Sequence, residues 1–465
     1  MYLILISGVK ILFNILYNII IFTITISSLI IVHECGHFYI ARLFNTYVEC
    51  FSLGFGKKIF EYHDKYGTNY IIRLIPLGGY VKMPDLINKN TLKYNFKKYK
   101  FIFFNQLSFF KKILIILGGP FANIIFAILI YWFIFFIGFP IKKTVINEIN
   151  YISIANNIGL KSNFEIKKIN GVNISNWNIF NIELIKNINS KKKINLEISK
   201  INSNILIKKT LYIYKKFIKS LKEKNLIFTL GIIPKGLKII PIINYIIPGS
   251  MAEKLKLHIG DKIINIEGEK FTNWYNFQKF IYQNNNKTIH FSINRNKKNV
   301  NFTILPSFTK FKKKHFLGFL PKIINIKDTS EIICKFNLFK ALQKSLKKTV
   351  NLTKLILNSF INLFYNKNNI YKLNGPISIG YIAGKLIRNN FIYYFMFLAL
   401  ININLSIINL FPLPILDGGQ LLFLFFEKII GKKIPYKFKK LIYNISIIIL
   451  IIIMGITFIN DFKQF

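Results

Sequence analysis

Cysteine is scarce in this chain of 465 residues, and the three cysteines, Cys35, Cys50 and Cys334, lie far apart in the sequence. Such a set provides neither a disulfide framework nor a Cys-x-x-Cys metal site. The sequence therefore excludes a fold held together by disulfides. Cys35 is interpreted as a small residue that packs between helices.

Acidic residues are also few, because 19 Asp and Glu stand against 65 Lys and Arg, for a formal net charge of +46. A charge of this size would ordinarily suggest nucleic-acid binding. However, the lysines are spread along the whole chain, and no basic recognition helix or aromatic-basic RNA motif is present. Ile, Lys, Asn, Phe and Tyr dominate throughout, as expected for a gene under strong A+T bias. We therefore interpret the charge as compositional and expect no nucleic-acid partner.

Long apolar runs, by contrast, are abundant, and hydrophobic residues make up 52% of the chain. A helix that spans a bilayer needs about 20 apolar residues. Four segments meet this requirement, approximately at residues 12–35, 113–137, 391–415 and 441–459. Lys10 precedes the first run without a cleavable signal, so we expect that segment to be retained.

The loops that connect these segments predict the orientation of the chain. The loop between the first two spans and the loop between the last two are fairly short and rich in lysine. Short basic loops remain in the cytoplasm by the positive-inside rule. The long stretch 140–335 then lies on the opposite face, since large translocated domains escape that rule.

The first apolar run ends in the motif His33-Glu34-Cys35-Gly36-His37. On a helix, residues four apart share one face, so the imidazoles of His33 and His37 can reach one metal ion. Glu34 is then placed to take a proton from water at that ion. Ionisable side chains at membrane depth are costly, which favours a functional reason for this cluster. A bare H-E-x-x-H can also arise by chance, and it leaves the third ligand open.

A candidate for that ligand follows the third apolar run. Pro412 and Pro414 break a helix and free backbone groups, and Asp417 comes directly after them. Asp417 could complete a set of two histidines and one carboxylate, leaving a fourth position for water. Alternatively, it could cap the next helix, with Gly418 and Gly419 supplying a turn. Because His33 and His37 lie in another span, the ligand interpretation is favoured.

The extramembrane stretch contains two similar units. The second, with Ile247–Glu253 followed by Ile259–Gly268, resembles a PDZ domain, and a weaker version recurs at Ile158–Val172. Such domains can bind extended segments by strand addition, although both units could act only as spacers or filters. The segment 337–366 mixes apolar residues and lysines at helical spacing and is predicted to lie on the membrane surface. The predicted domains are 1–139, 140–225, 226–312, 313–390 and 391–465.

The combination of H-E-x-G-H, N-x-x-P-x-P-x-L-D-G and tandem PDZ units resembles the site-2 intramembrane metalloproteases over essentially the whole chain. Further matching stretches include Phe51–Lys57 and Gly118–Asn123. The resemblance implies a polytopic α-helical membrane protein with four transmembrane helices and two inserted PDZ (α+β) domains. It also implies a membrane-associated β-hairpin at Gly78 and Gly79, which guides an unwound substrate strand.

The resemblance further implies one Zn²⁺ per chain. The site residues that it implies are His33, His37 and Asp417 as zinc ligands, Glu34 as general base and acid, and Asn404, Asn409 and Pro412 as substrate-binding residues. Two departures from the family pattern stand out: Gln420 replaces a common His after the double glycine, and Lys256 replaces the usual Gly at a helix end.

The function expected from this resemblance is cleavage of single-span membrane proteins within the bilayer of the bacterial inner membrane. The PDZ pair would be periplasmic, the active site would face the cytoplasm, and the substrates would include a truncated anti-sigma factor and remnant signal peptides. A membrane-anchored protease with a cytosolic cleft would usually take its third ligand from a Glu. A PDZ adaptor would not need Glu34, and a metal transporter would need polar residues along several spans.

Overall fold

A computed structural model describes residues 2–464 of the chain, except 85–100, 152, 191–192, 204, 213–225, 271–273, 285–286, 296–297, 305–307, 310–313, 316–317, 327–329 and 366–374. Lysines 97, 98 and 100 of the loop between the first two spans, residue 366 of the predicted surface segment, and the predicted domain ends at 225 and 312 lie outside the described residues. The chain divides into two compact units, residues 1–139 with 335–465, and residues 140–334.

The described helices, in chain order, are α1 (Tyr2–Leu43), α2 (Phe109–Ile137), α3 (Ile154–Asn157), α4 (Trp177–Ser190), α5 (Leu226–Leu230), α6 (Met251–Lys254), α7 (Trp274–Gln283), α8 (Leu338–Tyr365), α9 (Pro376–Asn389), α10 (Phe391–Asn409), α11 (Asp417–Ile430) and α12 (Tyr436–Gln464).

The described strands are β1 (Cys50–His63), β2 (Asn69–Lys82), β3 (Phe139–Lys142), β4 (Ile146–Ile149), β5 (Phe164–Ile169), β6 (Val172–Asn173), β7 (Lys193–Lys200), β8 (Ile207–Tyr212), β9 (Ile232–Pro234), β10 (Leu237–Ile246), β11 (Lys262–Ile266), β12 (Glu269–Lys270), β13 (Ile289–Arg295), β14 (Lys298–Ile304), β15 (Phe308–Thr309), β16 (Lys314–His315), β17 (Phe319–Asn325) and β18 (Glu331–Cys334).

The first unit contains four helices that are long and apolar enough to cross a membrane, among the residues described. They are Leu12–Leu43, Phe109–Ile137, Phe391–Asn409 and Lys437–Phe462, so the predicted number of spans is confirmed at the level of length and composition. The third prediction ran too far, because α10 ends at Asn409 rather than at 415. The apolar run continues, but Pro412 and Pro414 lack the backbone N–H that a helix needs.

Helices α1 and α2 approach each other backbone to backbone. A Cβ built on Gly36 would lie 2.2 Å from the carbonyl oxygen of Gly118, and one on Gly118 would lie 2.7 Å from the carbonyl oxygen of Gly36. Small residues at a helix crossing permit this contact in membranes. Further along, α2, α8 and α10 enclose a buried apolar cluster that includes Tyr131, Leu398 and Ile403. This close packing fixes the end of α1 against α2.

The two strands β1 and β2 form more than the hairpin that the sequence predicts. Residues 60–63 pair antiparallel with 69–72, as in a hairpin closed by residues 64–68. Residues 50–53 pair with both halves of β2, parallel to 69–72 and antiparallel to 79–82. Both strands are therefore bent, and four strand segments lie side by side, with 79–82 at one edge. Gly54 and Gly56, at φ +87° and +85°, allow the bend in β1.

The two largest sheets of the second unit each have a buried core of their own, and the shorter pairs β4-β9 and β15-β16 lie in the same unit. The first sheet has the order β6-β5-β7-β8, and the second has β14-β13-β11-β10-β17. The first core includes Leu226, Ile227 and Ile232, and the second includes Phe319. The cores therefore extend beyond the boundaries placed at 225 and 312. Lys256 adopts φ +55°, so the left-handed conformation expected of glycine is kept by a lysine.

Candidate metal centre

His33 and His37 lie one turn apart on α1, and the structure brings their ring nitrogens together. Both residues are buried, and their Nε2 atoms are 3.2 Å apart. The rings meet edge to face with centroids 4.8 Å apart. The i, i+4 spacing of a helix accounts for this geometry, because it places both side chains on the face that packs against α2.

Asp417 reaches the same point from α11, of which it is the first residue. Its Oδ2 lies 3.2 Å from Nε2 of His33, and its Oδ1 lies 3.5 Å from Nε2 of His37. The N-cap position of α11 belongs to Leu416, and the Asp417 carboxylate faces the histidines instead.

The three side chains fit a metal ion. One ligand atom from each lies within 4.8 Å of the other two. Nδ1 of His37 is 2.8 Å from the carbonyl oxygen of Ile115, so an Nδ1–H donated there leaves the Nε2 lone pair for a metal. A Cβ on Gly119 would lie 2.4 Å from that Nε2, so only glycine leaves the space open. Two imidazoles and one carboxylate are a zinc donor set with a free position for water.

Glu34 lies beside these ligands and is also buried. The edge segment 79–82 passes close to it, because a Cβ on Gly79 would lie 2.9 Å from Cγ of Glu34 and 2.9 Å from Cγ2 of Ile30. Gly78 faces the other way, and a Cβ there would overlap the ring of Phe55. Of the two glycines, Gly79 therefore belongs to the site and Gly78 to the bend.

The predicted substrate-binding residues are placed unequally. Asn409 ends α10, and its Nδ2 is 3.2 Å from Nε2 and 3.4 Å from Nδ1 of His33. Asn404 lies about 140° around the helix from Asn409 and so is not on that face. Pro412 is exposed in the segment that connects α10 to α11. The structure thus brings Asn409 to the histidines and leaves Asn404 away from them.

Asn123 was not among the predicted site residues, yet it lies against His33. It is fully buried in α2, and its Nδ2 is 3.4 Å from Nδ1 of His33. The available signal was a single amide within an otherwise apolar span, since polar side chains at membrane depth are often functional.

Comparisons with known proteins cover nearly the whole chain. A sequence model of peptidase family M50 matches residues 21–453. A regulator of sigma E protease from Salmonella typhi is 36% identical over 453 residues, 97% of this chain and 99% of the relative. The regulator of sigma-E protease RseP from Escherichia coli K12 is 35% identical over 445 residues, 95% of this chain and 98% of the relative. A Pasteurella multocida relative named as a zinc metalloprotease is 35% identical over 443 residues, covering 95% and 98%.

Proposed function

The chain belongs to peptidase family M50 and is an intramembrane zinc metalloprotease; we propose that His33, His37 and Asp417 hold the zinc and that Glu34 is its general base. The observation that carries this assignment is the convergence of the three ligand atoms within 4.8 Å, with Glu34 beside them. The alternative of a membrane-anchored protease with a cytosolic cleft would usually have a Glu as the third ligand, whereas the carboxylate beside His33 and His37 belongs to Asp417.

The mechanism follows from the positions of these groups. When bound, zinc supplies a Lewis acid that polarises the scissile carbonyl and lowers the pKa of water. Glu34 takes a proton from the attacking water and later passes it to the amine nitrogen that leaves. Asn409 presents amide hydrogens beside His33, where they can stabilise negative charge on the carbonyl oxygen. Burial of the site strengthens these electrostatic contributions.

The edge segment 79–82 is the proposed guide for the substrate. A transmembrane helix hides its carbonyl groups in hydrogen bonds, so the substrate must be extended before it is cut. Residues 79–82 pair on one side with 50–53, and no other strand of the described residues pairs with them. An extended segment can add to such an edge through main-chain hydrogen bonds. The contact between Gly79 and Glu34 would place the added strand next to the general base.

The substrates and the cellular setting are proposed from the relatives. The four candidate spans and the bacterial relatives indicate a bacterial inner-membrane protein. We propose that the two sheets of the second unit are PDZ domains on the periplasmic face, and that the metal site opens toward the cytoplasm. Because two relatives are named regulators of sigma E, an anti-sigma factor shortened by a first cut is the proposed substrate. Remnant signal peptides form a second substrate class of the same chemistry.

The test is cleavage of a single-span model substrate co-expressed in membranes with the wild-type chain or with Glu34→Gln. Cleavage should be lost in the variant while its zinc content stays at one per chain, because Glu34 moves protons and binds no metal. Glu331→Gln, a change at an exposed ion pair with Lys142 outside the proposed site, is the matched control and should cleave normally. Equal cleavage by Glu34→Gln would assign the activity to another enzyme.

A further inference from the structure

Two buried amide oxygens on the packed helices α2 and α10 have no hydrogen-bond partner among the described residues. They are Oδ1 of Asn123 on α2 and Oδ1 of Asn402 on α10, and both residues are fully buried. An unsatisfied polar atom in such a place destabilises the fold. A buried amide pair in a core of Leu, Ile and Ala therefore needs an explanation.

The alignment of α2 with α10 places the two residues at the same level. The hydroxyl of Ser406 donates to the carbonyl of Pro120 over 2.8 Å, and the hydroxyl of Tyr131 donates to the carbonyl of Met396 over 3.2 Å. These contacts set the helices antiparallel. Asn123, one turn after Pro120, then faces Asn402, one turn before Ser406.

His33 needs a hydrogen-bond acceptor for the proton on its Nδ1. Its Nε2 faces Asp417 and His37, so its Nδ1 must carry the proton if Nε2 is to bind a metal. Metal-binding histidines almost always donate this proton to an oxygen, as His37 does to Ile115. For His33, the Nδ2 atom of Asn123 lies 3.4 Å from Nδ1. Asn409, by contrast, is nearer to Nε2.

We propose that Asn123 is a positioning residue that accepts the Nδ1–H of His33 and is itself held by Asn402. A half-turn of the Asn123 amide exchanges its oxygen and nitrogen without changing its shape. Oδ1 then accepts from His33, and Nδ2 donates to Oδ1 of Asn402, whose own Nδ2 already donates to the carbonyl of Leu398 over 2.9 Å. One rotation thus satisfies both orphaned oxygens and fixes the tautomer of His33. This inference rests on the proposed metal site.

The experiment measures the zinc affinity of the purified full chain in detergent, by competition with a chromophoric chelator. Asn123→Leu keeps the shape but removes the acceptor, and it should weaken zinc binding by roughly 10-fold to 100-fold. Asn123→Asp keeps the acceptor for His33 but loses the donor to Asn402, so it should weaken zinc binding by less than Asn123→Leu does. The control is Thr25→Val, which removes a buried hydroxyl from the same helix as His33 and should leave the affinity unchanged.

The order of the variants separates positioning from packing. If Asn123 only fills space, Asn123→Leu would keep its zinc affinity, and Asn123→Asp, with a buried unpaired charge, would lose the most zinc affinity. That order of the two variants would overturn the proposal. Asn402→Leu is the second test, should Asn123→Leu not accumulate. It should weaken zinc binding less than Asn123→Leu, and the double variant should add nothing to the single Asn123→Leu. If Asn402→Leu bound zinc as tightly as the control Thr25→Val, the proposed role of Asn402 in holding Asn123 would be overturned. A wild-type chain that binds no zinc would refute the metal site itself.

Discussion

Two aspartates, one in each unit, have very different surroundings. Asp261 in the second unit is 2% exposed and accepts from Nε and Nη2 of Arg295 over 2.8 and 2.6 Å and from the backbone N–H of His258 over 2.8 Å. Asp417 lies 3.2 and 3.5 Å from the Nε2 atoms of His33 and His37, and its Oδ2 has no hydrogen-bond partner among the described residues. A carboxylate saturated by donors holds a fold together, whereas one left with lone pairs beside two histidines is suited to a metal.

The largest expected effect is that of Asp417→Asn. The amide is a poor zinc ligand, so zinc content should fall below one per chain and cleavage should drop by roughly 1,000-fold or more. The thermal stability of the metal-free chain should change little, because this carboxylate has few structural partners. Metal analysis, cleavage and melting of the same preparation check the three statements. Full zinc content in the variant would contradict the assignment of Asp417.

Asp261→Asn should show the opposite profile. It breaks a charge-assisted pair with Arg295 and removes an acceptor for His258, which should lower the free energy of unfolding of the second unit by about 2 kcal/mol. Zinc content should stay at the wild-type value. Urea unfolding of the full chain, followed by tryptophan fluorescence, measures the change. If Asp261→Asn lost zinc while its stability stayed normal, the contrast between the two aspartates would fail.

A further buried aspartate, Asp461, sharpens the comparison within the first unit. It lies near the end of α12 and accepts from the backbone N–H groups of Gly375, Ile377 and Ser378 and from the Ser378 hydroxyl, over 2.5–3.2 Å. It thus caps α9 from another helix. Asp461→Asn keeps one oxygen and should cost about 1 kcal/mol, read as a lower melting temperature with zinc retained. An unchanged melting temperature would show that the cap does not contribute.

The smallest effect is expected from pH. Burial alone would raise the pKa of Asp261, but hydrogen bonds from Arg295 and His258 lower it below its ordinary value of about 3.9. The folded state therefore binds this proton less readily than the unfolded state. Its stabilisation is complete above the ordinary pKa and is lost as pH falls through the lowered one. As pH falls below about 4, the unfolding free energies of wild type and Asp261→Asn should converge, and parallel curves would contradict this.

Local patterns predicted much of the site, and contacts between distant segments limited the rest. Helical spacing was enough to put His33 and His37 on one face, and an acid after two prolines singled out Asp417. The span predicted from hydrophobicity alone extended past the end of α10, because proline ends a helix without interrupting a hydrophobic run. The bends in β1 and β2 depend on the pairing of residues 50–53 with both 69–72 and 79–82. The alternation of apolar and polar residues along a strand does not encode such a double pairing. The contact of Asn123 with His33 likewise depends on how α1 and α2 are aligned.

The distance along the chain between the parts of the site has a consequence for biosynthesis. His33 and Asn409 are separated by 376 positions. At about 5–20 residues per second, their syntheses are separated by roughly 20–75 s. During that interval the first span already carries Glu34, the proposed general base, and both histidines, while α11 with its carboxylate does not yet exist. Under the proposed mechanism, hydrolysis becomes possible only when the last helices have been made, which would protect the nascent chain and its neighbours in the membrane from premature cleavage.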